Sequence, residues 1–76
     1  MFNQNLFIQR LIFLRKEHNL SQAQLGEIIN LSKQGVNEIE KGRTTTRIDK
    51  LAIIADYFNV STDYLLGRTD NPEVNK

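Results

Sequence analysis

Apolar residues recur along this chain at the three- and four-residue intervals of helices, and no run of β-branched residues alternates as a strand would. Phe7, Leu11 and Leu14 predict a first helix from about Asn5 to His18, closed by Asn19-Leu20. Leu25, Ile28 and Ile29 predict a second. Val36 and Ile39 give a narrower stripe to a third, from Lys33 to Lys41. Leu51, Ile54, Ala55 and Phe58 predict a fourth from Ile48 to Phe58, ended by Asn59. Ser61 caps a short last helix through Leu66, with Val60 as a hydrophobic staple against a residue such as Leu65. Gly42 and Gly67 are placed as left-handed stops. The first helix also carries Leu6, Ile8, Ile12 and Phe13 and is apolar nearly all round. Such a helix needs cover on a second side. Either Phe2 folds over it, or Ile8, Ile12 and Phe13 form a surface for a protein partner.

The most informative stretch is Ser21 to Gly42. Ser21 and Ser32 can each accept the orphan N–H groups of a helix start. Glu27 and Asn37 fall too late to complete a capping box, so both caps are expected to stand alone. Between the helices, Asn30 is the residue best suited to a left-handed turn. Two short helices at a fixed corner form a helix-turn-helix, whose second helix can be presented to the major groove of DNA. Its leading side chains are Lys33 and Gln34, then Asn37 and Glu38 one turn later. Gln and Asn can bond adenine, Lys can donate to guanine, and Glu can accept from cytosine. Gly35 leaves room for close approach. Glu38 has a competing use as an ion-pair partner of Lys41. Phosphate contacts are expected from Ser32, besides its cap role, and from Arg43, Thr44, Thr45 and Arg47 in the polar loop that follows.

Charge adds modest support. The net charge is only +1, but residues 1–47 carry seven Lys/Arg against four Glu, whereas residues 48–76 carry three against five Asp/Glu. Positive charge therefore travels with the motif. Seventy-six residues make one domain with room for a single modest core. No cysteine is present, so there is no disulfide framework or thiolate metal site, which suits a cytoplasmic setting. No apolar run is long enough for a membrane span, and the start lacks the basic region of a secretion signal. His18, the sole histidine, lies where a cation suits a helix C-terminus. Asp56 is expected on the exposed side of the fourth helix and Asp63 in the first turn of the last. No metal set, cofactor motif or catalytic constellation is visible, so an enzyme is not expected.

From about Arg10 to Gly67 the chain resembles the phage-repressor (Cro/CI-like) helix-turn-helix family. The resemblance is carried by Arg10-Leu11, Leu14-Arg15, Leu20-Ser21-Gln22, Leu25, Ser32, Val36, Ile39-Glu40, Gly42, Leu51, Ala55, Val60-Ser61 and Leu65-Leu66. Two positions depart from it: Gly26, where the family usually has Ala, and Asn30, where it usually has Gly. Gly26 is expected to cost about 1 kcal/mol relative to Ala in a helix interior.

The resemblance implies an all-α, five-helix DNA-binding domain, placed over residues 1–67; residues 68–76 are polar, contain the one proline and are expected to form a flexible tail. The resemblance implies that Gln22 grips the DNA backbone and that Arg15 and Glu40 form a largely buried structural ion pair. It implies a repressor that binds a pseudo-palindromic operator as a homodimer, with half-sites about one helical turn, ~34 Å, or a multiple of it, apart. Val60, Thr62, Asp63, Tyr64 and Leu66 are the candidates for the dimer surface. The tail is too short for a self-cleaving domain, so relief is expected from a separate partner, competition or turnover. An antitoxin that represses its own operon and a protein-interaction adapter are the rival readings. Donors at Gln22, Lys33, Gln34 and Arg43 speak against the adapter.

Overall fold

Asn3 opens the chain's first helix: its side chain accepts the backbone N–H of Leu6 at 3.0 Å. The computed structural model describes residues 3–74, and within them five helices follow in order. They are α1 (Gln4–Glu17), α2 (Gln22–Ile29), α3 (Lys33–Glu40), α4 (Ile48–Phe58) and α5 (Thr62–Leu65). The expected fold class holds, with no strand among the described residues. Phe2, expected as a cover for α1, lies outside the described residues.

The helix ends follow local chemistry. Ser32 accepts from Gly35 N–H at 3.0 Å, and Ser61 accepts from Tyr64 N–H at 3.0 Å. Ser21 does not stand alone, as expected, but belongs to a capping box. Its hydroxyl accepts from Gln24 N–H at 3.1 Å, and Gln24 Oε1 accepts from Ser21 N–H at 2.8 Å. The third helical residue is Gln24 rather than Glu27, which places the reciprocal partner within reach. Arg47 precedes α4 without a side-chain cap, and Asp49 instead accepts the Lys50 N–H at 3.0 Å. Asn19, Asn30 and Asn59 all take positive φ where helices end. Gly42 and Gly67 do the same after α3 and α5.

The core gathers one face from every helix. Phe7, Leu11, Leu14, Leu25, Ile29, Val36, Ile39, Ile54, Ala55, Phe58, Val60 and Leu65 are buried in a single cluster. Ile28 and Leu51 are half-buried against it, as are Ile8 and Tyr64. The extra apolar face of α1 is thus narrower than expected. Leu6, Ile8 and Ile12 are half-buried, and Phe13 alone of the four is exposed, at 56%. Ile48, at 86% exposure, is an apolar surface residue that the periodicity did not flag.

The corner between α2 and α3 is tight. Leu31 N–H donates to Gly26 carbonyl at 2.7 Å, with Asn30 between them at φ 59°. Gly26 is therefore not a mere weakness of α2, contrary to expectation. A Cβ added there meets the Leu31 carbonyl oxygen at 2.4 Å.

At the other end, the segment after α5 is tied back to α1. Arg10 donates to the carbonyls of Tyr64 and Thr69, the latter at 2.7 Å, and pairs with Asp70 at 2.8 Å. Its guanidinium also sits 4.1 Å from the centre of the Tyr64 ring. Ser61 N–H donates to the Pro72 carbonyl at 2.9 Å.

Candidate nucleic-acid interface

The tight corner sets the direction of α3 relative to α2, and the Ser32 cap lets its first turn face outward. Lys33 and Gln34 are exposed, and neither side chain has a hydrogen bond or ion pair among the described residues. Two free polar side chains at the open end of a helix are available to an external partner. Gly35, half-buried behind them, has ordinary room for a Cβ: the nearest atoms would be Ser32 Oγ at 3.5 Å and Leu31 Cβ at 3.6 Å.

Asn37 and Glu38, one turn on, are not free in the same way. Asn37 is half-buried, and its Nδ2 donates to Gln22 Oε1 at 3.4 Å. Gln22 Nε2 in turn donates to Glu40 Oε1 at 3.0 Å. Glu38 pairs with Arg43 across 3.6 Å rather than with Lys41. The chain turns back at Gly42 (φ 77°), and Arg43 N–H returns to the Glu38 carbonyl at 3.0 Å, which brings Arg43 alongside.

Arg15 and Glu40 face each other in a two-bond pair, Nε to Oε2 at 2.7 Å and Nη2 to Oε1 at 3.1 Å. Their side chains are 12% and 6% exposed. Arg15 also donates to the Leu20 carbonyl at 2.9 Å. The pair therefore joins α1, the turn before α2 and the end of α3. Removing either partner would leave a buried charge uncompensated.

Beyond α3, Arg43, Thr44, Thr45 and Arg47 are exposed, and Arg47 lies 3.5 Å from Asp49. Lys50 is the residue that sequence reasoning missed. Its ammonium donates to the Asn30 carbonyl at 3.3 Å, at the C-terminal end of α2. With Leu31, Gly35, Ile39 and residues 44–47 it lines a shallow cleft beside α3. No local pattern marks it, because the packing of α4 on α2 is what brings it there.

The dimer candidates are dispersed in role. Val60 is only 7% exposed and is used by the core, so its side chain has nothing left to offer a second copy. Tyr64 is half-buried beneath Arg10. Thr62 and Asp63 are exposed, and Leu66 is half-buried. His18 caps α1, its Nδ1 2.9 Å from the Leu14 carbonyl and its ring edge-on to Phe58 at 4.8 Å. Asp56 is exposed on α4. Among the described residues no group of three or more His, Cys, Asp or Glu is placed to hold a metal ion. No described helix is long and apolar enough to cross a membrane.

Comparison with known proteins agrees with this geometry. The profile of the helix-turn-helix family matches residues 11–65. The chain is 41% identical over 68 residues to the "Uncharacterized HTH-type transcriptional regulator YobD" of Bacillus subtilis (strain 168). That match covers 90% of this chain and 61% of the relative, so the chain spans about six-tenths of that protein's length. The P22 c2 repressor, solved in complex with synthetic operator 9T in the presence of Tl+, superposes with a TM-score of 0.77 at 26% identity. It matches over 84% of this chain and 97% of its own. A transcriptional regulator from Listeria innocua superposes with a TM-score of 0.78 at 36% identity, over 83% of this chain and 59% of its own.

Proposed function

The chain belongs to the helix-turn-helix family, and from that premise we propose that it is a DNA-binding transcriptional regulator that inserts α3 into the major groove. The observation that carries this reading is the open first turn of α3, where Lys33 and Gln34 are exposed and unengaged. Side chains at that end of a recognition helix meet base edges first. Lys33 and Gln34 read bases directly, and Asn37 reads from the second turn. Glu38 is reserved to Arg43 until DNA competes for that arginine. Gln22, Ser32, Arg43, Thr44, Thr45 and Arg47 contact phosphates, and Lys50 adds a cation at the same edge. The likeness to a repressor crystallised on its operator supports the docking mode and the repressor role.

A single α3 reads too few base pairs for selectivity, so the protein acts as a homodimer on a pseudo-palindromic operator in the cytoplasm. Thr62, Asp63, Tyr64 and Leu66 are the exposed or half-exposed part of the proposed contact. A protein partner at α1 would centre on Phe13, with Ile8 and Ile12 beside it. Selection of bound duplexes from a random pool tests the reading. The expected result is an inverted repeat bound far more tightly than scrambled DNA, with two protein chains per duplex in sedimentation. Equal affinity for selected and scrambled duplexes would refute base reading and leave the adapter.

A further inference from the structure

The polarity of one side-chain amide on α3 is set from inside the protein. The Glu40 carboxylate only accepts hydrogen bonds, and it takes Nε and Nη2 of Arg15 at 2.7 and 3.1 Å. Gln22 can therefore approach Glu40 only with the NH2 of its amide, and its Nε2 donates to Glu40 Oε1 at 3.0 Å. The other end of that amide, Oε1, is left to accept. Asn37 meets it with Nδ2 at 3.4 Å. Turning the Asn37 amide over would bring two oxygens together, and turning Gln22 would set its oxygen against the carboxylate. The row is partly buried, which raises the cost of either mismatch.

We infer that Glu40 and Gln22 are positioning residues that make Asn37 offer its carbonyl oxygen, Oδ1, to the major groove. Asn37 then selects a base with an exocyclic amine, adenine or cytosine, over guanine or thymine. In that groove adenine N6 and cytosine N4 donate, whereas guanine and thymine present only acceptors. An asparagine free to turn over would donate to guanine O6 or thymine O4 and discriminate less. The inference rests on the reading of α3 as the recognition helix.

Selection from a random duplex pool with the native protein, Asn37→Ala and Gln22→Met tests it. Asn37→Ala identifies the base position that Asn37 reads. There the native protein favours adenine and cytosine over guanine and thymine by about tenfold. Gln22→Met reduces that ratio to about threefold or less, while loss of its phosphate contact weakens all duplexes alike. An unchanged ratio in Gln22→Met, or a native preference for guanine or thymine, overturns the inference. A second measurement uses the native protein without DNA. The Asn37 side-chain amide protons exchange more slowly than those of exposed Asn5 in NMR spectra. Exchange as fast as at Asn5 removes the relay even where α3 reads DNA. A protected amide with no base position altered by Asn37→Ala instead defeats the recognition reading, and the inference with it.

Discussion

Adding one methyl group at Gly26 sets two effects against each other. Alanine in a helix interior is worth about 1 kcal/mol over glycine, so Gly26→Ala stabilises α2 if the corner has room. It has none: the new Cβ lies 2.4 Å from the Leu31 carbonyl oxygen and 3.3 Å from the carbonyl carbons of Leu31 and Ser32. All three neighbours are backbone, so no rotamer change relieves the contact. The Leu31 carbonyl must retreat by about 1 Å to reach ordinary contact. Overpacking of this kind costs about 1–3 kcal/mol, and the retreat strains the Leu31–Gly26 hydrogen bond, worth about 1 kcal/mol. The net loss is about 1–3 kcal/mol. At roughly 4–8 °C per kcal/mol for a chain of this size, the melting temperature falls by about 4–24 °C.

Gly35→Ala is the matched control, since a Cβ there meets nothing nearer than 3.5 Å. It keeps the propensity gain and melts about 4–8 °C higher. Its methyl group comes to rest against Ser32 and Leu31 at ordinary contact distance. Thermal unfolding followed by circular dichroism reads both variants. A Gly26→Ala protein that melts at or above the native temperature would refute the steric argument.

Four further outcomes are expected. Glu40→Ala strands Arg15 at 12% exposure and costs about 3–5 kcal/mol; an unaltered melting curve would show that the pair is not structural. Gln34→Ala loses about 1–3 kcal/mol on the selected operator and relaxes preference at one position, whereas an equal loss on random DNA would deny it base contact. Arg43→Ala weakens all duplexes similarly and flattens the salt dependence by about one charge, measured as log affinity against log salt. Arg10→Ala releases the carbonyls of Tyr64 and Thr69, and hydrogen exchange accelerates at the Leu66, Gly67 and Arg68 amides; unchanged protection there would mean that the strap contributes nothing to α5.

Features set by near neighbours in the chain were readable from the sequence. Leu11 and Leu25 declare their burial through spacing, and Ser32, Ser61, Asn30 and Gly42 act on residues within one turn. Gln24 shows how narrow the margin is, because a miscount of one turn hides a capping box. The rest depends on distant residues meeting. Asn37 looks like a free reader until Gln22, fifteen residues away, engages it. Val60 is readable as an apolar staple beside Leu65 and also as a dimer contact, and the core takes it. Lys50 and Arg10 find backbone carbonyls 20 and 54–59 residues distant, and no local pattern encodes such pairings. The clash at Gly26 arises because the corner has closed on the space that a side chain would need.

Three helix ends bend through asparagine and not glycine, at Asn19, Asn30 and Asn59. Each accepts a less comfortable backbone well, but the disordered chain has fewer shapes to surrender there than glycine would allow. The two bends that hold α1, α2 and α3 in order are both of this stiffer kind. The freer residue, Gly42, comes only after α3 has been aimed. Glycine is thereby kept out of both corners before α3, and the freedom it brings enters first at Gly42, at the start of the loop of residues 42–47.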